Sequence, residues 1–222
     1  MEVIEAIRSR RSIRGFKPDP VPRKVLEELL DTCRWAPSAQ NIQTWEMAIL
    51  GGKVMAEVKA RLEANVKDKV KPNPDLPSIE PTGIYQQRAI ESRDNTDRHQ
   101  FPPGTEDLDA KRAAYLLRGG RFHDAPNGII IYSDRSLDQK AIINAGILAQ
   151  TIALAAPAYG LGTCMMFRAV TYPDVLRELL GIPDSKIFIL GIAIGYPDSG
   201  AIINSIPRSR LPVETLAQWH GF

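Results

Sequence analysis

Val3, Ile4 and Ile7 fit one face of a short first helix. A second helix is marked by Pro22 in its first turn and by Val25, Leu26, Leu29, Leu30 and Cys33 at helical spacing. It ends near Trp35-Ala36-Pro37, because the residue before a proline avoids helical backbone. Trp45 to Leu50 reads as a strand closed by Gly51-Gly52, and 53–69 as an exposed amphipathic helix carrying Val54, Val58 and Leu62. Gly128 to Tyr132 is a buried strand, and Ala141 to Tyr159 an apolar helix covered on nearly all sides, inside a domain or between subunits. Thr163 to Phe167 reads as a short strand. Val175, Leu176, Leu179 and Leu180 define a helix that stops at Gly181. Lys186 to Gly195, nearly unbroken in apolar residues, is the strongest strand signal in the chain.

Between about 71 and 120 the character changes. Six prolines punctuate a charged stretch with little core signal, within which helical pieces are expected around Tyr85–Arg93 and Asp107–Leu117. Such a segment reads as a surface excursion, either over a binding site or as an ordinary peripheral insertion. There is no internal repeat and no low-complexity run, so residues 1–222 read as one domain. Helices and strands interspersed around one small sheet make it α+β or α/β.

The chain has 28 Lys and Arg against 26 Asp and Glu, a net charge of +2, and 44% hydrophobic residues. That balance, with no interleaving of aromatic and basic residues, argues against a nucleic-acid partner. The Ala141–Tyr159 stretch contains Asn144, Gln150, Thr151 and Pro157, whereas a membrane span needs about 20 mostly apolar residues. No membrane partner is therefore expected. Glu2 and Glu5 stand where a secretory leader needs an apolar core, so a cytoplasmic protein is expected. Cys33 and Cys164 cannot supply a four-ligand zinc site; a disulfide between them is compatible with the count but not implied by it.

Phosphate-loop, dinucleotide-fold, zinc-protease and serine-hydrolase signatures are all missing. His99, His123 and His220 have no ligand spacing, so neither a protein-bound metal nor a histidine base is indicated. Arginine instead concentrates at the two ends, in Arg8-Ser9-Arg10-Arg11-Ser12-Ile13-Arg14 and in Arg208-Ser209-Arg210. Guanidinium and hydroxyl groups together suit a phosphate dianion, although each cluster alone also fits a solvated tail. A third segment, Ala36 to Trp45, crowds hydroxyl and amide side chains into a turn. It suits a polar heterocycle, or simply ends a helix.

In this order and length the segments resemble the nitroreductase family of dimeric FMN enzymes. Matching stretches are Arg10-Arg11-Ser12-x-Arg14, Ala36 to Asn41, Gly160-Leu161-Gly162-Thr163-Cys164, Gly191 to Pro197, and Arg208-Ser209-Arg210. The resemblance implies an α+β, three-layer sandwich: a small mixed or antiparallel sheet surrounded by helices, in an intertwined homodimer. It implies that Arg10, Ser12, Arg14, Arg208 and Arg210, with Arg11, hold the phosphate and ribityl end of FMN. Pro37, Ser38, Ala39 and Asn41 would reach the isoalloxazine from the partner subunit, and Met165 and Met166 would border it on the other side. Phe167 and Arg168 stand where many family members carry glutamate and glycine.

The implied reaction is a ping-pong transfer of hydride from NADH or NADPH through flavin N5 to an electron-poor nitroaromatic or quinone. The flavin carries the chemistry and no side chain need be catalytic. Arg14 is expected beside the flavin N1–C2=O edge, where reduction places negative charge. Tyr85, Phe101, Tyr115 and Phe122 are the aromatics available to a substrate lid over residues 71–120, or equally to pin that segment to the core. Rival chemistries on the same fold are reductive dehalogenation, oxidation of a small metabolite, flavin fragmentation, or flavin binding without catalysis.

Overall fold

The computed structural model describes residues 2–77 and 79–222. The chain runs α1 (Val3–Ser9), α2 (Arg23–Cys33), β1 (Glu46–Leu50), α3 (Gly52–Lys67), α4 (Gly83–Gln100) and α5 (Leu108–Gly120). It continues β2 (Asn127–Asp134), α6 (Gln139–Ala155), β3 (Gly162–Met166), α7 (Pro173–Leu180) and β4 (Lys186–Gly195). Two short helices, α8 (Ile202–Ser205) and α9 (Val213–Leu216), complete it.

The four strands form one sheet in the order β1-β2-β4-β3, antiparallel at every pairing. Its central strands, β2 and β4, are apolar on consecutive residues because both faces of the sheet are covered. Ile129 and Ile131 face a core shared with Leu26, Leu29 and Leu148, beneath α2 and α6. Ile130 and Phe188 face a second core with Val58, Leu62 and Leu176, beneath α3 and α7. The result is three layers, helix, sheet and helix, in the α+β class. Cys33 and Cys164 are free, in different cores.

α6 is not enclosed within one chain. Its inner face (Ala145, Leu148, Ala149, Ile152) is buried, while Ile142 and Ile143 on the other side are exposed, so one chain covers only half of it. Together with the turn that follows, it is long and apolar enough to cross a membrane by length and composition. The buried side chains show why it is so apolar: they are packing positions.

The 71–120 segment contains two helices, and the first is far longer than the sequence suggests. α4 spans 18 residues with no buried side chain, so it lacks the apolar stripe on which a periodicity reading depends. The loop before it is pinned by Asp75, whose carboxylate accepts from Arg177 at 2.9 and 3.0 Å, from Arg135 at 2.9 Å and from the Phe188 N–H at 2.9 Å. Phe122 is not a lid residue. It is wholly buried in the second core, where it fills the space above Gly128.

Candidate functional site

The N-terminal arm is laid onto β3. Ser12 pairs with Thr163, and the Ile13 N–H donates to the Thr163 carbonyl at 2.9 Å. Asn204 then fastens the arm to the C-terminal segment. Its Oδ1 accepts from the N–H groups of Arg14 (2.8 Å) and Gly15 (3.1 Å), and its Nδ2 donates to the carbonyls of Gly15 (2.7 Å) and Asp198 (3.0 Å). Beyond it, α4 supports the second arginine cluster: Asn95 donates to the Pro207 carbonyl at 2.9 Å, and Arg208 to the Thr96 hydroxyl at 3.2 Å.

These ties bring the two ends of the chain together. Arg10, Arg11, Ser12, Arg14, Arg208 and Arg210 line one cavity of about 500 Å³, together with Ile7, Arg8 and Ser92. Among the described residues, none of these arginines forms an ion pair with a carboxylate. Burial, followed by the like charges of Arg14, Arg11 and Arg210, lowers the Arg208 pKa below its ordinary value. A cluster of this kind is stabilised by an anion, and guanidinium groups offer paired N–H donors to a phosphate.

Arg14 also lines a second cavity, of about 350 Å³, so the two cavities share this residue. The second is walled by Met165, Met166, Phe167 and Cys164 from β3 and its exit, and by Tyr115, Leu116 and Gly119 from α5; Arg168 and His123 complete the lining. Burial raises the pKa of the Cys164 thiol, against the opposing effect of Arg14, so this sulfur is a neutral wall rather than a nucleophile. Phe101 meets Tyr115 edge-on at 6.3 Å and opens onto a neighbouring cavity with Lys111 and Arg118. Tyr85 is exposed and stacks under Arg88.

The turn at 37–41 lies elsewhere. Pro37, Ser38, Ala39 and Asn41 line neither of the two cavities of their own chain. The turn is nonetheless built: the Ala39 N–H donates to Asn144 Oδ1 at 3.2 Å, and Gln40, Asn41 and Gln43 hold φ of 55, 56 and 44°. Three contributors had no signature in the sequence: Asn204, His123 and Arg118, whose Nη2 donates to the Arg14 carbonyl at 3.4 Å. The Gly119-Gly120 pair was the one available hint, since Gly119 keeps the α5 wall of the second cavity thin.

The chain is similar to known proteins along most of its length. The family model described as the nitroreductase family matches residues 7–196. A chloronitrobenzene nitroreductase of Comamonas testosteroni is 32% identical over 217 residues, covering 95% of this chain and 93% of the relative. A 4-nitrobenzoate reductase of Pseudomonas putida is 28% identical, covering 97% and 94%. Among solved structures, the FMN and NADPH-dependent nitroreductase NfnB from sphigopyxis sp. strain HMH superimposes with a TM-score of 0.93 at 24% identity, each chain covered in full. The FMN-dependent NfnB from Mycobacterium smegmatis, in complex with NADPH, gives 0.89 at 24% identity, with 98% and 97% covered. From the arginine-lined arm at its start to the exit of its last strand, the chain belongs to the nitroreductase family.

Proposed function

We propose that the protein is an FMN-dependent oxidoreductase that takes two electrons from NADH or NADPH and delivers them to a nitroaromatic or quinone in ping-pong order. The carrying observation is the convergence, on one cavity, of arginines from both chain ends that pair with no carboxylate among the described residues, one of which, Arg14, also lines a methionine-walled second cavity. The names of the relatives support a nitroarene as acceptor, and the titles of the structural neighbours support FMN and NADPH.

The residues fit the cofactor. Arg10, Arg11, Arg208 and Arg210, with the Ser12 hydroxyl, would hold the phosphate and ribityl end, each charge-assisted bond worth roughly 1.5–3 kcal/mol. Met165 and Met166 would border the ring, and Arg14, shared by both cavities, would sit at its N1–C2=O edge. FMN, when bound, supplies a ring that accepts hydride at N5 and gives it up to a second substrate. The chain would position the reactants, exclude water with the α5 wall, and offer positive charge where the ring gains electrons.

We read the working unit as a homodimer. In one chain Val3, Ile4, Ile7, Ile142, Ile143, Trp219 and Phe222 are exposed, and the 37–41 turn stands apart from the cavities, as expected of surfaces that meet a second copy. Phe101 and Tyr115 of the 71–120 segment would form the lid over the acceptor. Two buried free thiols suit a reducing, cytoplasmic compartment.

The test is direct. The purified protein should carry a flavin spectrum that bleaches anaerobically with NADH or NADPH and returns on addition of a nitroarene. Parallel lines in double-reciprocal plots would establish the ping-pong order. A colourless chain that takes up no FMN would overturn the assignment.

A further inference from the structure

Three consecutive residues, Phe122, His123 and Asp124, run through left-handed backbone, with φ of 59, 50 and 63°. Such conformations cost of order 1–3 kcal/mol each for residues with side chains, and they persist where the surroundings impose them. Here Phe122 is anchored in the core, while Asp124 is held by Arg121 at 2.6 Å and Arg118 at 2.9 Å. The turn thereby delivers the His123 imidazole to the wall of the second cavity.

This imidazole is 7% exposed and forms no hydrogen bond with any described residue; its Nδ1 is buried without a partner. Tyr115 lies 6.2 Å away, and the charged groups around it are Arg14, Arg118, Arg168 and Asp124. Burial and the three guanidinium groups outweigh Asp124 and push its pKa down to about 3, so the ring is neutral. Guanidinium groups only donate, whereas a neutral imidazole keeps one accepting nitrogen, and a half-turn about Cβ–Cγ brings either nitrogen round. Arg14, His123 and Arg168 all line the second cavity, so its wall offers guanidinium donors together with one imidazole acceptor. The complement of that pattern is an imide edge: carbonyl, N–H, carbonyl.

We propose that the His123 imidazole accepts the imide N3–H of the isoalloxazine, between guanidinium donors to the two flanking carbonyls. This rests on the flavin reading of the site and adds to it the residue that recognises the ring itself rather than the phosphate.

The full-length protein, labelled with 15N and loaded with 15N-labelled FMN, should show a scalar coupling across a hydrogen bond between flavin N3 and an imidazole nitrogen. The coupling is assigned to His123 by its loss in His123→Asn, a variant that tolerates the left-handed turn. Bound FMN with no such coupling overturns the proposal. Wild-type protein should also bind N3-methyl-FMN about tenfold or more weaker than FMN, because the methyl group removes the donor and leaves the acceptor unpaired. Equal affinities overturn it. Failure of the wild type to bind FMN at all overturns the cofactor reading, and this inference with it.

Discussion

The side-chain oxygen of Asn204 accepts the backbone N–H of Arg14 at 2.8 Å, joining residues 190 apart in sequence. The same amide spends its other capacity on Gly15 and Asp198, so it acts as the clasp that holds the two arginine clusters on one cavity. Asn204→Leu leaves the N–H groups of Arg14 and Gly15 without that acceptor, a loss of about 1–3 kcal/mol for each buried group. FMN affinity, read by flavin fluorescence, should fall about tenfold or more. Asn204→Asp keeps the acceptor but not the donor and should lie between.

Arg208 separates the phosphate from the ring. It lies in the arginine cavity and does not line the methionine-walled one. Arg208→Ala removes a charge-assisted contact of about 1.5–3 kcal/mol, which is roughly a tenfold to hundredfold loss in FMN affinity. Riboflavin, which lacks the phosphate, should bind wild type and variant alike. A parallel loss for riboflavin would mean that Arg208 touches the ring or supports the fold.

What was legible in the sequence follows from which physical patterns are local. β2 and β4 were legible because burial on both faces writes a continuous apolar run. The end of α7 was legible because Gly181 takes φ of 66°, which a glycine adopts without strain. The arginine clusters stood out by composition, yet their meeting is a tertiary event carried by one asparagine that composition does not distinguish. α4 was half missed because a helix with no buried side chain has no stripe to read. Between lid and core the sequence left Phe122 open, because an aromatic beside a surface excursion carries no sign of which way it packs; the left-handed turn sends it inward and His123 toward the cavity. The 37–41 turn drew notice for its polar side chains, and its separation from the cavities could not be read from one chain's sequence.

Asp75 governs the acid stability of the excursion. Burial raises its carboxyl pKa, but the Phe188 N–H, Arg135 and Arg177 outweigh this and hold it below the ordinary value. A carboxyl depressed in the folded state contributes stability above its unfolded pKa, about 3.9, and loses it as pH falls through the folded value. Asp75→Ala should therefore lower stability at neutral pH by about 1.5–3 kcal/mol, since it removes the more buried of the two carboxylates paired with Arg177, leaving only the exposed Asp184 at 2.9 Å. Denaturant midpoints of wild type and variant should converge as the pH drops below about 4. A gap that stays constant down to pH 2 would assign the loss to packing instead of charge.

Gly162 tests whether the arm must lie flat on β3. A Cβ there would stand 2.6 Å from Ile13 Cγ1 and 2.9 Å from Pro197 Cγ, so Gly162→Ala has to push Ile13 outward. Ile13 lies between Ser12 and Arg14, which line the arginine cavity, and its N–H is bonded to Thr163. Overpacking of this kind costs about 1–3 kcal/mol, and here the strain is delivered to the arm. Gly162→Ala should weaken FMN binding about tenfold while the far-ultraviolet dichroism is retained, because the sheet itself need not move. Gly160→Ala is the matched comparison. With φ of 70° and nothing within 4 Å of an added Cβ, it pays only for left-handed backbone, about 1–2 kcal/mol. Its melting temperature should drop while its FMN affinity stays at the wild-type value. Equal losses of affinity in the two variants would show that general destabilisation, not displacement of Ile13, releases the cofactor.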